Sequence, residues 1–473
     1  MRQKFDMAII GAGPGGYVAA IRAAQLGSRV ALVEEAQLGG TCLNRGCIPT
    51  KALLHTAEVM HTLASAGEFG VVMEGSFHLD LGRALKHKEK VVSQLRRGVE
   101  HLMAANGVEV IPGRGRLAGT GKVAVTAPGG ELVVEADKIV IATGSRPAAL
   151  PVPGAGEAAV IDSDAALAMA AVPESVLIIG GGAVGIEFAN IYHAFGAQVT
   201  LVEMLPRLAP GEDEEISALL AQELRGRGIT VHTGAKASLF KRDSGGKTVA
   251  TLSTSQGDVQ VIADVVLAAA GRRPNTEGLG LETVGVATGR GWITTDDYQR
   301  TNVPGIYAVG DVTGRTLLAH AASMGGVVAV EHAAGQHTVP LDPSRVPRCI
   351  FNRTEIASIG LTEAQAREQG HRVATGKFPF SANGRAITMG PTGGMVKVVA
   401  AEDTGELLGV HIIGPQASSL IMEAGVAMTL ESTLEELTSV VHPHPTLTEA
   451  MEEVFLAALG RPVHIPRGRS VKA

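Results

Sequence analysis

The stretch that decides the fold is Met7-Ala8-Ile9-Ile10-Gly11-Ala12-Gly13-Pro14-Gly15-Gly16. Residues 7–10 are apolar and predict a buried parallel strand, and the glycines after them predict a tight turn into a helix that runs through Leu26. A second apolar strand over residues 30–33 then ends at Glu34. Strand, glycine-rich turn, helix and strand in this order are typical of a dinucleotide-binding βαβ unit.

The glycines and the acid in this pattern each have a predicted physical role. Gly11 is predicted to make the turn, Gly13 to leave space for a pyrophosphate, and Gly16 to let the helix pack on the strand. The N–H groups at the start of the helix are predicted to bind the phosphates. Glu34 is predicted to bind ribose hydroxyls.

The same pattern recurs later in the chain, where its residues are Gly180, Gly182, Gly185 and Glu203. Gly11 and Gly180 are separated by the same 169 positions as Glu34 and Glu203 (180 − 11 and 203 − 34). The sequence therefore predicts two dinucleotide-binding units. The acid at Glu203 favours NAD over NADP, because a 2′-phosphate would meet a like charge there.

Two of the three cysteines lie between these units, as Cys42 and Cys47. Five residues of regular helix span about 7.5 Å, and disulfide partners lie roughly 4.4–6.8 Å apart. Pairing them therefore requires an irregular backbone, which Gly46 permits. Pro49 is typical of a first helical turn, so we expect Cys47 near a helix N-terminus, where the dipole favours a thiolate.

These residues predict a reactive, reversible dithiol, and a pair of buried structural cysteines stays open as the alternative. A zinc site needs about four ligands. Cys349, the remaining thiol, has no paired-ligand spacing around it. The sequence thus predicts no metal site.

Composition narrows the class of protein. A chain of 473 residues is expected to form about three domains. The net charge of −6 gives no electrostatic footprint for nucleic acid, and no run of 18 apolar residues predicts a membrane span. Few cysteines, and a strand that starts by Met7 with no room for a signal peptide, predict a soluble cytoplasmic protein.

Residues 83–106 are predicted to form an amphipathic helix. Its apolar face is expected to contain Leu85, Val92, Leu95, Val99 and Leu102. Its solvated face is expected to contain Lys86, Lys88, Lys90, Arg96 and Arg97.

Buried strands are also predicted to end at residues 142–145, at Gly271 and at 310–311. Asp311 is either a turn residue or an acceptor for a polyol such as a flavin ribityl chain. The sequence leaves both interpretations open.

A proline-rich segment, residues 440–449, presents His442 and His444. Each histidine precedes a proline and is predicted to be extended, with a helix starting at Thr446. Thr446 and Glu449 fit a capping box. Alternatively, Glu449 orients His444 as a general base. The spacing alone leaves both open.

Taken in order, these motifs resemble the dihydrolipoamide dehydrogenases within the pyridine nucleotide–disulfide oxidoreductase family, over nearly the whole length. The motifs that support the resemblance are the two glycine patterns and residues 39–51, 142–145, 310–311, 378–386, 444–449 and 460–465.

The resemblance implies an α/β protein with two dinucleotide-binding three-layer βαβ domains, for FAD and NAD, and an α+β C-terminal dimerisation domain. The implied boundaries are 1–148 and 272–345 for the FAD-binding domain, 149–271 for the NAD-binding domain and 346–473 for the interface domain.

It further implies that Cys42 and Cys47 form a redox-active disulfide, with Cys42 as the interchange thiol and Cys47 facing the flavin in a charge-transfer contact. Lys51 and Glu187 are expected to pair beside the flavin and nicotinamide. His444 is expected to act on Cys42 of the partner subunit, with Glu449 orienting it. The other implied cofactor contacts are Thr41, Thr143, Gly144, Ser145, Gly271, Gly310, Asp311 and His320.

The implied reaction is the oxidation of protein-bound dihydrolipoamide, with electrons passing through FAD to NAD+. The implied partners are a second copy of the chain, a lipoyl domain or glycine-cleavage H-type protein, and the peripheral-subunit-binding domain of an E2-type core.

Pro443 and residues 321–323 depart from the family pattern. Mercuric reductase would need a C-terminal cysteine pair, and this chain has none after Cys349. A glutathione reductase would need a basic pocket for the ribose phosphate of NADP, and the acid at Glu203 argues against such a pocket. A catalytically silent nucleotide-binding regulator is the alternative from another class. The basic tail, Arg467, Arg469 and Lys472, leaves two interpretations open: contact with an acidic partner and, as the favoured one, a disordered terminus.

Overall fold

The computed structural model describes residues 2–390 and 392–466, so the basic residues Arg467, Arg469 and Lys472 lie outside the described range. Among the described residues, every helix is too short or too polar to span a membrane.

The first part of the chain forms a sheet flanked by helices. Its strands are β1 (Arg2–Ile10), β2 (Val30–Glu34), β3 (Glu109–Pro112), β4 (Arg114–Leu117), β5 (Lys122–Ala127), β6 (Gly130–Ile141) and β7 (Ser145–Pro147). Its helices are α1 (Pro14–Gln25), α2 (Gly40–Arg45), α3 (Cys47–Ser65) and α4 (Leu81–Ala105).

The second part repeats this arrangement and adds an antiparallel three-stranded sheet. Its strands are β8 (Val160–Ile161), β9 (Ser175–Ile179), β10 (Gln198–Glu203), β11 (Thr230–Thr233), β12 (Lys236–Arg242), β13 (Thr248–Thr254), β14 (Gly257–Ala263) and β15 (Val265–Ala268). Its helices are α5 (Ser163–Ala166), α6 (Ala183–Ala194) and α7 (Glu214–Gly226).

The chain then returns to the first sheet and ends in a third unit. The returning elements are β16 (Arg272–Pro274), β17 (Thr288–Gly289), β18 (Trp292–Ile293), β19 (Ile306–Ala308) and α8 (Ala319–Ala333). The third unit consists of β20 (Arg348–Ile350), β21 (Glu355–Gly360), β22 (Val373–Pro379), β23 (Met395–Ala401), β24 (Leu407–Gly414), α9 (Glu363–Glu368), α10 (Gly384–Met389), α11 (Ala417–Thr429), α12 (Leu434–Leu437) and α13 (Glu449–Ala458).

Strand order explains how the binding motifs come together. The first sheet has seven strands in the order β3-β2-β1-β6-β5-β4, with β19 also paired to β6. β1 is parallel to β2 and β6, and β6 is parallel to β19. Because parallel strands share one carboxyl edge, the loops that follow β1, β2, β6 and β19 meet there, where ligands bind in open α/β sheets.

The second sheet reproduces this geometry in the order β11-β10-β9-β15-β8. Ile10 pairs with Val33 in the first sheet, and Ile179 pairs with Val202 in the second. These pairs are again 169 positions apart (179 − 10 and 202 − 33). The third unit is an antiparallel five-stranded sheet, β20-β21-β24-β23-β22, whose apolar core includes residues of α11 and α13. The architecture confirms the predicted fold class, whereas the domain boundaries stay a prediction.

The helix predicted over residues 83–106 is α4, and its apolar face differs from the prediction. Val92 and Val99 are buried, but Leu95 and Leu102 are 41% and 44% exposed. Lys88, predicted to be solvated, is buried and donates a 2.6 Å hydrogen bond to the carbonyl of Leu167. The helical periodicity is as predicted, but the turn of α4 that carries Lys88 packs against the second part of the chain instead of facing solvent.

A buried charged cluster joins the second sheet unit to the third. Lys397 on β23 is 2% exposed and its Nζ donates to Asp213 Oδ1 at 3.1 Å and to Glu215 Oε1 at 2.7 Å. It also lies 2.9 Å from Glu363 Oε2. Burial alone would lower the pKa of Lys397, but its hydrogen bonds to Glu215, Glu363 and Asp213 raise it.

Candidate active site

A cavity of about 770 Å³ opens at the carboxyl edge of the first sheet. Most of the residues that the sequence singled out line it. They are Gly11, Gly13, Glu34, Thr41, Cys42, Cys47, Lys51, Thr143, Gly144, Ser145, Glu187, Gly310 and Asp311. A concave site of this size, formed by polar groups from several strand ends, is suited to a large organic cofactor.

The glycines of the first motif differ in the space that surrounds them. Gly11 has φ +100°, and a Cβ there would lie 2.4 Å from the carbonyl oxygen of Ala142. A Cβ on Gly16 would lie 1.8 Å from the carbonyl oxygen of Gly11, so only glycine lets α1 approach β1. At Gly13, by contrast, the nearest atom to an added Cβ is 4.0 Å away. Gly13, which lines the cavity, therefore leaves open space beside its backbone for a ligand.

The two motif acids make matching hydrogen bonds. Glu34 accepts from the N–H groups of Ala12 and Ala36 at 2.7 and 2.8 Å. Glu203 accepts from those of Gly181 and Leu205 at the same distances. Each acid is thus held at the end of its second strand by backbone donors. Because both oxygens keep a second lone pair, each carboxylate still has acceptor capacity for ribose hydroxyls.

These features fit dinucleotide cofactors. Gly13 and Gly182, which precede α1 and α6, provide no side-chain cap, so the first N–H groups of both helices are left for a ligand. A helix N-terminus without a cap beside open space is suited to a phosphate. The first unit would hold FAD in the cavity, and Gly180, Gly182, Gly185 and Glu203 would hold NAD at the second sheet.

The second glycine motif does not line the cavity itself. Instead α6 reaches the cavity through Ala183, Val184, Glu187 and Phe188. α6 therefore connects the second glycine motif to the cavity of the first unit. Gly271, also predicted as a contact, is exposed, has φ +112° and precedes β16.

Asp311 belongs to a hydrogen-bonded chain that sequence reasoning missed. Ser145 Oγ donates to Asp311 Oδ2 at 2.5 Å, and Arg272 Nε donates to Ser145 Oγ at 2.6 Å. Arg272 also donates to the carbonyl of Ser145 at 2.8 Å. Arg272 comes directly after Gly271 and is the first residue of β16. β16 pairs with β7 at the point where the chain passes between the two sheet units. The sequence feature that could have identified Arg272 is its position directly after Gly271, the glycine at which a strand was predicted to end.

Cys42 lies in α2 and Cys47 begins α3, so the prediction of a helix N-terminus at Cys47 is confirmed. The irregular turn falls at Gly46, with φ −139° and ψ −113°, where a Cβ would be 2.9 Å from the carbonyl oxygen of Thr41. All three cysteines are free thiols.

The two thiols interact and differ in acidity. The Cys42 thiol donates a hydrogen bond to Cys47 and lowers the pKa of Cys47; burial opposes this and the charge of Lys51 supports it, and the resulting pKa is about 7. That same hydrogen bond, together with burial, raises the pKa of Cys42. The first proton is thus lost from the pair to leave a thiolate on Cys47. A dithiol with one ionised sulfur is suited to redox exchange.

Lys51 and Glu187 pair as expected. Lys51 Nζ lies 2.8 and 2.9 Å from the two carboxylate oxygens of Glu187. The backbone N–H of Phe351 donates to the same carboxylate at 3.2 Å, and the Lys51 ammonium lies 4.5 Å from the Phe351 ring centroid. Glu187 is only 6% exposed. All three parts of the chain therefore meet beside the dithiol.

His320, predicted as a cofactor contact, lies in the first turn of α8. Its ring is exposed, and Nε2 lies 2.7 Å from the carbonyl oxygen of Pro347. The neighbouring Leu317, Leu318, Ala319 and Ala322 line the cavity instead. The helix α8 begins at Ala319 and turns the His320 side chain away.

His444 lies away from the cavity, with its side chain 79% exposed. Its Nδ1 is 2.8 Å from Glu449 Oε1, and Glu449 Oε2 accepts from the N–H of Thr446 at 2.8 Å. Thr446 Oγ1 donates to the carbonyl of Pro443, so the reciprocal half of a capping box is missing. Glu449 therefore contacts both the His444 ring and the backbone N–H of Thr446, and the helix begins at Glu449 rather than at Thr446.

Comparison with known proteins identifies the class. The chain belongs to the pyridine nucleotide-disulphide oxidoreductase family, whose model matches residues 5–326, and the model of that family's dimerisation domain matches residues 346–455. FAD and NAD are the cofactors of this family and fit the two glycine motifs. The dimerisation domain supports a homodimer.

Within this family the chain groups with the dihydrolipoyl dehydrogenases. It is 44% identical to the dihydrolipoyl dehydrogenase of Bacillus subtilis over 98% of this chain and 100% of that protein. It is 45% identical to that of Thermus scotoductus, over 98% and 99%. The crystal structure of LpdA from Mycobacterium tuberculosis superposes with a TM-score of 0.87 at 29% identity, over 96% of this chain and 99% of that one.

Proposed function

We propose that this chain oxidises protein-bound dihydrolipoamide to lipoamide with NAD+ as acceptor, through a Cys42–Cys47 disulfide and FAD. The observation that supports it best is the placement of the dithiol. Cys42 and Cys47 line the cavity beside the uncapped N-terminus of α1, while α6 of the second unit reaches the same cavity at Glu187. One thiol pair therefore lies between two nucleotide-binding units.

The reaction starts with a proton transfer, because only a thiolate attacks a disulfide. His444, held by Glu449, takes a proton from the dihydrolipoyl dithiol. The resulting thiolate attacks Cys42 of the oxidised pair, which breaks the Cys42–Cys47 bond and leaves the thiolate on Cys47. The second substrate thiol then gives up its proton and attacks the first substrate sulfur of the mixed disulfide, which closes the lipoamide disulfide, and Cys42 leaves with that proton as a thiol.

The exposed position of His444 bears on where this proton transfer occurs. His444 does not line the cavity that contains Cys42 of its own chain. We therefore assign it to the site of the other subunit in the homodimer, so that each cavity uses Cys42 and Cys47 of one chain with His444 and Glu449 of its partner.

Electrostatics direct the next step. The hydrogen bond from Cys42 and the charge of Lys51 keep the electron-rich sulfur on Cys47. FAD, which Gly11, Gly13 and Glu34 would hold in the cavity, would supply the two-electron chemistry between the dithiol and NAD+. Glu203, which is 9% exposed and held by two backbone N–H groups, favours NAD+ over NADP+.

The partners in this proposal are a lipoyl domain or a glycine-cleavage H-type protein as the substrate carrier, and the peripheral-subunit-binding domain of an E2-type core. A cytoplasmic location accompanies it, because a reversible dithiol is typical of a reducing compartment. Domain boundaries after residues 148, 271 and 345 are part of the same proposal.

The test uses the purified holoprotein under anaerobic conditions. We expect a flavin absorption spectrum and, on adding dihydrolipoamide, a new long-wavelength band from the reduced enzyme. Cys42→Ser should abolish dihydrolipoamide oxidation and keep bound FAD and the NADH-driven reduction of a quinone dye. A Cys42→Ser variant that oxidises dihydrolipoamide at the wild-type rate would disprove the assignment.

A further inference from the structure

Two histidines in the segment 440–446 have opposite environments. The side chain of His444 is 79% exposed, whereas that of His442 is 5% exposed. Val441, immediately before His442, is 92% exposed. A single buried imidazole in an otherwise exposed segment therefore fixes this segment to the rest of the domain.

Both ring nitrogens of His442 face acceptors. Nε2 lies 3.0 Å from Glu423 Oε1 on α11, and Nδ1 lies 3.2 Å from the carbonyl oxygen of Val440. Glu452 Oε2 on α13 lies 3.6 Å from Nδ1. Because carbonyl and carboxylate oxygens only accept, both nitrogens must donate, and only the imidazolium does this. Hydrogen bonding to Glu423 raises the pKa of His442 against the effect of burial, and the charge of Glu452 adds to it.

A second anchor lies on the other side of His444. Asn383 is 3% exposed, and its Nδ2 donates to the carbonyl of Thr446 at 3.1 Å. Thr446 also donates its N–H to Glu449. His444 is thus presented between a charged anchor two residues before it and a neutral anchor two residues after it.

We propose that His442 is a positioning residue, whose imidazolium bridges α11 and α13 and holds the segment that presents His444. This inference rests on the proposed function, in which His444 deprotonates the dihydrolipoyl thiol. His442 does not touch the reacting sulfurs. It acts through His444, because a general base must be held within hydrogen-bond reach of the proton it takes.

Two substitutions separate the bonds that His442 makes. In His442→Gln the amide nitrogen takes the place of Nε2 and keeps the bond to Glu423, whereas the Nδ1 bond to the carbonyl of Val440 and the 3.6 Å contact to Glu452 are lost. In His442→Asn the amide nitrogen takes the place of Nδ1, and the bond to Glu423 is lost. The contact to Glu452 is long, at 3.6 Å, and the Glu452 side chain is 36% exposed, so it contributes little and we expect His442→Gln to stay within about fivefold of wild type. Loss of placement in His442→Asn should lower kcat about 10- to 100-fold.

The experiment compares two reactions of the holoenzyme. Dihydrolipoamide oxidation by NAD+ needs His444, whereas NADH-driven reduction of a quinone dye needs only the cofactor sites. We expect His442→Asn to lower kcat for dihydrolipoamide without changing the dye rate or the KM for NAD+. Glu423→Gln should act in the same direction. His55→Gln is the matched control, because His55 forms an exposed pair with Glu58, at 69% and 72% side-chain exposure.

A double-mutant cycle tests whether His442 acts through His444. In a His444→Gln background, His442→Asn should have almost no further effect, since the group that it positions is gone. A full additional loss there, an equal loss of the dye rate, or a wild-type dihydrolipoamide rate in His442→Asn would each overturn the inference. A wild-type enzyme that reduces the dye but does not oxidise dihydrolipoamide would instead overturn the proposed function, and this inference with it.

Discussion

Lys51 and Glu187 are 136 positions apart in sequence, yet both carboxylate oxygens of Glu187 lie within 2.9 Å of Lys51 Nζ. The pair joins α3, which begins at Cys47, to α6 of the second nucleotide-binding unit. Because Lys51 lies one helical turn after Cys47, its charge acts on the reactive sulfur. Substituting either residue should therefore change the pKa of the Cys47 thiol, although neither residue is bonded to it.

The two partners are expected to shift the acidity of Cys47 in opposite directions. Lys51 lowers the pKa of Cys47 and Glu187 raises it, around a value of about 7. Lys51→Met should therefore move the midpoint of thiolate formation to higher pH, and Glu187→Gln should move it to lower pH. The measurement is the rate of iodoacetamide alkylation of the reduced protein against pH.

The control for this prediction is Cys42, whose pKa is raised. Peptide mapping of the alkylated protein should place the step near neutral pH on Cys47 and not on Cys42 in every background. If Lys51→Met and Glu187→Gln shift the midpoint in the same direction, the charge pair does not set the acidity of Cys47.

Glycine substitutions in the first motif should separate folding from cofactor binding. A Cβ on Gly16 would lie 1.8 Å from backbone, whereas one on Gly13 would have no neighbour closer than 4.0 Å. Gly16→Ala is expected to destabilise the apoprotein itself. Gly13→Ala is expected to leave apoprotein stability unchanged and to weaken FAD binding, because the methyl group occupies the phosphate space. Thermal unfolding of the apoprotein and FAD titration measure the two effects.

Gly182→Ala is the matched control, since an added Cβ there meets nothing within 4 Å and lies at the second motif. We expect it to raise the KM for NAD+ while FAD content stays at the wild-type level. Loss of FAD from Gly182→Ala would contradict the assignment of one cofactor to each unit.

Much of this arrangement follows from local sequence. The glycines and the acid of each motif have local physical causes, so the spacing of 169 positions predicts two sheets with matching register and matching hydrogen bonds at Glu34 and Glu203. Gly46 and Pro49 likewise predict the broken helix at Cys47. Each of these predictions depends on residues close together in the chain.

The rest depends on contacts between distant elements, which no local pattern records. Lys88 has the helical position of a solvated residue, and only the packing of α4 on residue 167 buries it. His320 sits next to the cavity in sequence, but the start of α8 at Ala319 directs it to Pro347. Thr446 has the spacing of a capping residue, although its hydroxyl bonds to Pro443 and the helix starts later.

Arg272 should contribute to FAD binding through Ser145. It donates to both Ser145 Oγ and the carbonyl of Ser145, and Ser145 in turn donates to Asp311. Arg272→Met should weaken FAD binding about tenfold, since the acceptor geometry at Asp311 loses its support. Arg273→Met is the control, because Arg273 is the exposed neighbour on the same strand. Equal FAD affinity in the two variants would argue against a role for the Arg272–Ser145–Asp311 chain.

The charged cluster at Lys397 should dominate the stability of the joint between the second and third units. Lys397 and Asp213 are 2% and 3% exposed, so Lys397→Met leaves Asp213 as a buried charge without its cation. Breaking such a pair costs about 3–5 kcal/mol. Lys377→Met is the matched control: it pairs with Glu215 at 2.7 Å, but its side chain is 46% exposed, and exposed pairs contribute about 0–1 kcal/mol. Urea unfolding of both variants measures the difference.

Equal losses of stability in the two variants would mean that Lys397 is hydrated in solution. A Lys397→Met, Asp213→Asn double variant should then recover no stability over Lys397→Met. With Lys397 buried as described, the double variant should recover much of the loss, because it removes the orphaned carboxylate charge.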